Sequence, residues 1–425
     1  MRSFKHSKIH LHLAAKILIG MLLGIAAGFI IKLLPASHFI NTYIVDGVCD
    51  IIGQWFIAAL KMLIVPIVFV SLVCSTCHFS DAKALGKISI KTISLFIISI
   101  TIAVLISISL ALLFNVGATA NIALPAQAPM PAAISIKQIL IGLVTSNPIR
   151  TMAEGNLLQL IILSLFFGIV VGLLGHAGKP IVQLFDATNK VLIKCIDLVI
   201  KTAPYGVFCL MTVACTKMGM ALLNNLLWYC LAIAIALVIQ YFGVYSLMLI
   251  ILGRLNPAPF FRKTWPAMLL GFSTSSSSAT IPLLLEICPK QLGVSDLVSS
   301  FVVPLGTTMH KSGCAIMQGV AVIFIANIYH IPLVGSTYIL IIATTVLAAL
   351  STSGMPSAGI FTLAMILQQV GLPVEGIGLL IGIDRFIDML RTPVSVAGVG
   401  VTACIVAQSE KTLDAKIYNS SESVI

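Results

Sequence analysis

The chain has 425 residues, of which 59% are apolar and only 9% are Asp, Glu, Lys or Arg, with a formal net charge of +11. An average soluble domain is roughly 45–50% apolar and about 25% charged, so this composition excludes a soluble enzyme, a nucleic-acid-binding protein and a disordered protein. The sequence therefore predicts a polytopic membrane protein.

Long apolar runs predict the membrane spans, because a helix needs about 20 mostly apolar residues to cross the hydrocarbon core. The runs lie at 13–34, 47–74, 88–114, 156–174, 191–216, 222–253, 297–327 and 376–407.

The basic residues are concentrated in every second connection, which is typical of cytoplasmic loops. They follow the even-numbered runs and precede the first, as in the tail with Lys5, Lys8 and Lys16 and the turn with Lys83 and Lys87. This pattern predicts a cell (inner) membrane protein with both termini in the cytoplasm. It also accounts for the positive net charge without a nucleic-acid partner.

Two apolar segments, 258–290 and 334–371, are interrupted by small and hydroxyl-bearing residues. The interruptions are Gly271-Phe-Ser-Thr-Ser-Ser-Ser-Ser-Ala-Thr280 and Ser351-Thr-Ser-Gly-Met-Pro-Ser-Ala-Gly359. Irregular backbone at membrane depth is tolerated where protein or a water-lined cavity satisfies it. Such a pair of segments in two halves of a chain points to the binding site of a transporter. The alternative is a pair of ordinary helices with serine-rich kinks.

The last apolar run carries Asp384, Asp388, Arg391 and Ser395 at a spacing that places them on one helical stripe. One carboxylate can bind an ammonium group while the guanidinium binds a distant carboxylate in bidentate fashion, so the stripe suits a zwitterion with an acidic side chain. The alternative is an internal Asp–Arg pair that only stabilises the helix, and Arg385 is a candidate structural partner of Asp384.

The seventh run contains Gly306-Thr-Thr-Met-His-Lys-Ser-Gly313, followed by Cys314. A polar stretch between glycines in an apolar helix favours local unwinding, which frees carbonyl groups for a cation or substrate. His310 and Lys311 are its unusual members, and Asp384 and Asp388 are the acids expected at the same depth.

These motifs resemble the dicarboxylate/amino acid:cation symporter family, the glutamate transporter homologues, over nearly the whole chain. Lys61-Met-Leu-Ile-Val-Pro-Ile-Val-Phe69 is similar to the family's second helix and Ala203-Pro-Tyr-Gly-Val-Phe208 to its fifth. The serine run 273–278 and Gly354-Met-Pro-Ser-Ala-Gly359 resemble the tips of its two hairpins. Asp384-Arg-Phe-Ile-Asp-Met-Leu-Arg-Thr392 is close to its eighth-helix signature.

The resemblance implies an all-α fold of eight transmembrane helices and two re-entrant helical hairpins, with inverted repeats, in a homotrimer. It implies a scaffold and a transport domain that moves like an elevator. The implied division is a basic tail at 1–16, scaffold helices 1–2 at 17–84, transport helix 3 at 85–114, a loop and scaffold helices 4–5 at 115–220, the rest of the transport domain at 221–407, and a tail at 408–425.

By resemblance, Asp388 binds the substrate ammonium and Arg391 its side-chain carboxylate. The remaining substrate contacts carry over onto Ser276, Ser277, Cys314, Met355, Gly359, Thr392 and Ser395. Cys314 and Ser395 depart from the family's usual Thr and Asn.

The cation sites depart further from the family. Its seventh-helix motif Asn-Met-Asp-Gly-Thr reads His310, Lys311, Ser312, Gly313 and Cys314 here, and Val399 stands where its eighth helix has Asp. Phe96 and Ile100 replace an assisting Tyr and Ser. The altered coupling region comprises Gly306, Thr308, His310, Lys311, Ser312, Ala349, Thr352, Asp384 and Val399.

An ammonium group is a poor neighbour for a sodium ion bound by hard oxygen ligands. The sequence therefore predicts that carboxylate-dependent sodium coupling is lost and that Lys311 acts as a tethered cation. Exchange, or proton coupling through His310 or Lys311, is favoured over sodium coupling, and only the backbone around Thr308, Ala349 and Thr352 resembles a remaining sodium site. No cofactor and no resident metal are predicted.

Three other functions remain to be weighed against an acidic amino acid carrier. The sequence contains no G-x-S-x-G motif, which argues against an intramembrane serine hydrolase. A channel would show conductance that does not saturate at low substrate concentration. The nearest alternative is a carrier of small neutral amino acids or of C4-dicarboxylates that remains sodium-coupled. Arg391 argues against the first of these substrates and Asp388 against the second.

Overall fold

A computed structural model of the protein describes residues 13–33, 39–77, 86–118, 144–154, 157–218, 220–352 and 357–420. These residues form helices and connecting turns, with no β-strand among them. Six helices in this part of the chain are long and apolar enough to cross a membrane, and four shorter apolar helices accompany them. The prediction of an all-α polytopic membrane protein is confirmed.

The predicted spans agree with the observed helices to within a few residues at most boundaries. The helix that contains the fifth apolar run, 191–216, begins 12 residues before that run. The α-helices are α1 (Leu13–Leu33), α2 (Asp50–Cys77), α3 (Gly86–Leu113), α4 (Pro148–Glu154), α5 (Leu157–Leu173), α6 (Lys179–Met218), α7 (Met220–Val238), α8 (Tyr245–Ile251), α9 (Pro257–Thr274), α10 (Ile281–Lys290), α11 (Asp296–Met309), α12 (Ser312–Ile328), α13 (Gly335–Ser351), α14 (Ala358–Val370), α15 (Ile377–Ser409) and α16 (Ala415–Asn419). Two π-helical segments, Ile40–Cys49 and Ile239–Val244, lead into α2 and join α7 to α8.

One group of helices consists of α1, α2, α5 and α6, which pack on one another. Small residues allow the closest approach: an ideal Cβ at Gly20 would lie 2.5 Å from the carbonyl oxygen of Pro204, and one at Gly24 would lie 2.5 Å from that of Phe208. The backbones of α1 and α6 therefore touch along one side of the molecule. Many of the large apolar side chains in this group point outward, as a bilayer permits.

The second group surrounds α15, which contacts α3, α9, α11 and α12. Almost every residue of α12 is buried, because protein encloses this helix on all sides. The two groups meet where α1, α2 and α6 contact α14 and α15.

The two interrupted segments fold as helix–turn–helix pairs, which we name hairpin 1 (α9 and α10) and hairpin 2 (α13 and α14). Asn256 caps α9 by accepting from the Ala258 backbone amide at 3.1 Å, and α9 ends at Ser275 in the left-handed conformation with φ of 52°. In hairpin 2, Ser357 directly precedes α14 and has φ of 60°. Each turn thus has a left-handed serine next to a helix end, and the interruptions predicted from the sequence are confirmed.

The predicted unwinding of the seventh apolar run is also present. His310 and Lys311 have non-helical backbone angles and separate α11 from α12. The break lies in the middle of a 33-residue apolar span, Asp296–Ile328, with both residues buried.

Candidate functional site

Two carboxylates and one guanidinium form the charged centre of the molecule on α15. Arg391 Nε donates to Asp388 Oδ1 at 2.8 Å, and Arg391 Nη1 lies 3.5 Å from Asp384 Oδ1. All three side chains are at most 5% exposed. The Nη1 and Nη2 atoms of Arg391 and both carboxylate oxygens of Asp384 have no hydrogen-bond partner among the described residues. The guanidinium therefore keeps its two terminal nitrogens available for a bidentate acceptor.

Hairpin 2 covers this charged centre with its backbone. The Ser357 amide donates to Asp388 Oδ2 at 2.7 Å, so the left-handed turn directs an N–H group at the carboxylate. An ideal Cβ at Gly359 would lie 2.6 Å from Arg391 Nη1. Only glycine at this position lets the guanidinium lie against the start of α14.

Arg385 lies at the edge of this charged centre. Its Nη1 atom lies 4.0 Å from Asp388 Oδ2, and no described ion pair joins it to Asp384. The side chain is only partly buried and borders a narrow gap that Phe56 and Ile200 line from the other helix group. The expected role of Arg385 as a partner of Asp384 stays a prediction, since the ion pair described for Asp384 is with Arg391.

Lys311 joins the break between α11 and α12 to the tip of hairpin 1. Its ammonium donates to the Ser277 hydroxyl and to the Thr307 carbonyl, and the side chain is 2% exposed. No carboxylate of the described chain lies within ion-pair distance, since Asp384 and Asp388 pair with Arg391. A buried cation is thus held by neutral oxygens beside the charged centre.

His310 is held in a hydrogen-bond network that fixes its tautomer. Nδ1 lies 3.1 Å from the Ser395 carbonyl, which can only accept, so Nδ1 carries the proton. Nε2 lies 3.1 Å from the Ser99 hydroxyl, which accepts from Gln240 Nε2 at 3.2 Å and can therefore donate to the ring. Both ring nitrogens of a neutral imidazole are therefore satisfied.

Tyr245 extends the same network to α12 and α15. Its hydroxyl donates to the Val394 carbonyl at 2.8 Å and is bonded to the Ser312 hydroxyl at 2.7 Å. The ring of His310 and the Tyr245 hydroxyl pack against Gly398, where an ideal Cβ would be 2.5 Å from the tyrosine oxygen. Four helices and the π-helical segment Ile239–Val244 meet here without a carboxylate.

Apolar side chains fill the space around Gly306. An ideal Cβ at Gly306 would lie 2.7 Å from Val399 Cγ1 and 3.0 Å from Phe96 Cζ. Phe96 also packs against His310, with the ring centroids 5.1 Å apart and the rings tilted by 44°. Ile100 is likewise fully buried.

The last turn of α13 presents backbone carbonyls at the end of a helix. Thr352 directly follows α13 in an extended conformation, so the final carbonyls of the helix lack helical partners. The Thr352 hydroxyl donates to the Ala348 carbonyl at 2.7 Å. Ala349 is fully buried in this turn, and α13 contacts α11, which carries Thr308. The Thr308 hydroxyl donates within its own helix, to the Leu305 carbonyl at 2.8 Å.

The other predicted substrate contacts fall into two sets. Ser276, Ser277 and Cys314 lie at the hairpin 1 tip and the start of α12, and Met355 lies outside the described residues. Thr392 and Ser395 have structural hydrogen bonds: the Thr392 hydroxyl donates to the Asp388 carbonyl at 2.8 Å, and the Ser395 hydroxyl accepts from the Gly313 amide at 3.1 Å.

Sequence reasoning missed several polar residues that the fold brings to this region. Ser99, Gln240 and Tyr245 complete the histidine network, and Gln318 donates to Thr362 Oγ1 at 2.6 Å and to the Gly359 carbonyl at 3.2 Å. Gln240 and Gln318 are isolated amides within long apolar runs, and that isolation was a usable signal. No group of three metal-binding side chains occurs in the part of the chain that the structure describes.

Comparisons with known proteins place the chain in a family. A model of the sodium:dicarboxylate symporter family matches residues 13–409. The chain is 30% identical over 407 residues to the proton/sodium-glutamate symport protein of Bacillus caldotenax, covering 94% of each chain. It is 30% identical to the proton/glutamate-aspartate symporter of Escherichia coli K12, over 96% of this chain and 95% of the relative. It is 34% identical to mouse excitatory amino acid transporter 4 over 64% of this chain and 49% of the relative.

These matches span the same helices and hairpins that assemble the charged centre, and they identify a family of secondary transporters and not of enzymes. The chain belongs to the sodium:dicarboxylate symporter family.

Proposed function

We propose that this protein is a secondary transporter of an acidic amino acid, aspartate or glutamate, whose coupling does not use carboxylate-bound sodium. The observation that carries the proposal is Arg391, which is buried beside Asp388 and has two guanidinium nitrogens without a hydrogen-bond partner among the described residues. Relatives at 30% identity are named glutamate and glutamate-aspartate symporters, which favours the same substrate class.

The charged centre suits a substrate with both an ammonium and a distal carboxylate. The terminal nitrogens of Arg391 can bind the side-chain carboxylate in bidentate fashion, while Asp388 can exchange its bond to Arg391 Nε for one to the substrate ammonium. The Ser357 amide holds the other oxygen of Asp388 during this exchange. Ser276, Ser277, Cys314, Met355 and Gly359 complete the proposed pocket.

The formal charges favour electroneutral exchange or proton coupling. Among the nearly inaccessible side chains, Asp384 and Asp388 balance Arg391 and Lys311, whereas Arg385 is partly exposed at the edge of the site. An acidic amino acid therefore gives this buried group a net charge of minus one. Moving an uncompensated charge through the membrane is costly. One accompanying proton would neutralise the loaded site, and return of the carrier with a second acidic amino acid would make the complete cycle electroneutral.

The proposal assigns Lys311, and not His310, to this coupling. The neutral His310 has both ring nitrogens in use, whereas Lys311 binds neutral oxygens at the hairpin 1 tip. Phe96 and Val399 crowd Gly306, which argues against a cation between α11 and α15. The α13 carbonyls at 349–352, with Thr308, are the remaining place for a sodium ion.

We further propose an elevator motion in which the group around α15 moves against α1, α2, α5 and α6, in a homotrimer of the cell membrane with cytoplasmic termini. The narrow gap between Phe56 and Asp384 supports this division, because it lies at the contact between the two helix groups.

The test is uptake of labelled aspartate into proteoliposomes with sodium, potassium or choline outside, with and without a pH gradient or internal aspartate. We expect saturable uptake that ignores sodium and responds to internal amino acid or to protons. Strict sodium dependence would overturn the coupling proposal while leaving the substrate assignment intact. A lack of aspartate uptake in every condition would overturn the substrate assignment.

A further inference from the structure

The C-terminal segment 412–420 lies against the base of hairpin 1 and bonds to both of its ends. At the start of the hairpin, the Tyr418 hydroxyl donates to the Asn256 carbonyl at 2.8 Å. At its end, the Asp414 amide donates to the Gly293 carbonyl at 2.8 Å, and Ser295 and Thr412 share a hydroxyl–hydroxyl bond of 3.2 Å. The segment therefore connects two parts of the chain that are more than 30 residues apart.

Lys263 is the centre of this contact. Its ammonium donates to the carbonyls of Gln291 at 2.9 Å, Ile417 at 2.6 Å and Tyr418 at 2.9 Å, and to the Ser420 hydroxyl at 3.2 Å. The residue is 2% exposed. Carbonyls at the C-terminal end of a helix carry partial negative charge, so the end of α16 is a favourable binding position for the Lys263 ammonium. One side chain thereby joins α9, the residue after α10, and the C-terminal segment.

Two further residues show that the segment is fitted to this place. Tyr418 is fully buried although it lies seven residues from the end of the chain. Gly293 has φ of 65°, and an added Cβ would collide with the Asp414 carbonyl. Asp414 in turn caps α16 by accepting from the Lys416 amide at 2.9 Å.

We propose that residues 412–420 form a C-terminal clasp that holds the two legs of hairpin 1 together at their base. The clasp makes hairpin 1 a fixed wall and keeps its tip, with Ser277, in place for Lys311. This inference goes beyond the proposed transport function, because it concerns the opening of hairpin 1 whichever substrate is carried.

The native thiol of Cys288 gives a direct measurement. Cys288 lies on α10 near its end and is fully buried, and its carbonyl accepts from the Val294 amide at 2.9 Å. Cys215 on α6 is also fully buried and is far from the clasp in the chain, so it serves as an internal control. Maleimide labelling of the purified full chain, followed by peptide mass spectrometry, gives the rate at each thiol.

We would compare Lys263→Met, which keeps the length of the side chain, and Tyr418→Phe, which removes one hydroxyl, with Lys416→Met at an exposed position of the same segment. We expect the labelling rate of Cys288 to rise about tenfold or more in Lys263→Met and by a smaller factor in Tyr418→Phe. The reason is that local opening controls access to a buried group. Lys416→Met should match the unmodified protein.

An unchanged rate at Cys288 in both clasp variants would overturn the proposal. An equal rise at Cys215 would also overturn it, since the whole protein would then have loosened. Aspartate uptake is not part of this readout, so failure of the transport proposal would leave the result unaffected.

Discussion

Arg391 Nε and Asp388 Oδ1 are joined by a 2.8 Å hydrogen bond between residues three apart on α15, and both side chains are nearly inaccessible. The pair neutralises itself while Nη1 and Nη2 of the arginine stay without hydrogen-bond partners. The same two residues can therefore form an internal pair and serve as the proposed binding site, so the structural and functional interpretations of this stripe are compatible.

Replacing Arg391 should separate acidic from neutral substrates. Removing one partner of a buried ion pair is destabilising by about 3–5 kcal/mol, because the other charge stays buried without compensation. We expect Arg391→Cys to weaken aspartate or glutamate far more than serine or alanine in competition against labelled substrate. Arg391→Lys keeps the charge but loses the planar guanidinium. Its aspartate affinity should therefore lie between that of the unmodified protein and that of Arg391→Cys. Equal loss for acidic and neutral amino acids would contradict the role of Arg391.

Gly359 should tolerate no side chain, because an added Cβ would lie 2.6 Å from Arg391 Nη1. We expect Gly359→Ala to displace the guanidinium and to raise the half-saturating aspartate concentration at least about tenfold, equivalent to about 1.4 kcal/mol. Gly335→Ala at the start of hairpin 2 is the matched control, since nothing lies within 4 Å of its added Cβ. Similar affinities for the two variants would contradict the predicted crowding.

His310 should contribute to stability and not to proton coupling. His310→Asn shortens the side chain and disrupts the bonds to the Ser395 carbonyl and the Ser99 hydroxyl, at a cost of about 1–3 kcal/mol for a buried group left without its partner. We expect a lower melting temperature and an unchanged pH profile of uptake. His176→Asn, at an exposed position, controls for loss of an imidazole. A shifted pH profile in His310→Asn alone would contradict the neutral network.

Lys311 should determine how uptake depends on cations and protons. Lys311→Met removes the bonds to Ser277 and the Thr307 carbonyl and makes the site one charge more negative. We expect aspartate uptake to fall and its response to an imposed pH gradient to disappear. Lys290→Met, at an exposed lysine of hairpin 1, should behave as the unmodified protein. Unchanged uptake and unchanged cation dependence in Lys311→Met would exclude the tethered-cation role.

The sequence alone was sufficient for the membrane class, the positions of the spans and the two interrupted hairpins. These features depend on the length of apolar runs and on small or hydroxyl-bearing residues within them, which are local properties of the chain. The stripe of Asp384, Asp388 and Arg391 was also visible, since helical periodicity fixes which residues share a face.

Tertiary structure decided which partners these residues take. It paired Asp384 with Arg391, left Lys311 on neutral oxygens, and assembled Ser99 and Gln240 around His310. It also placed the C-terminal segment on Lys263. Such contacts join residues far apart in the chain, and their geometry depends on how whole helices pack, which no local pattern in the sequence encodes.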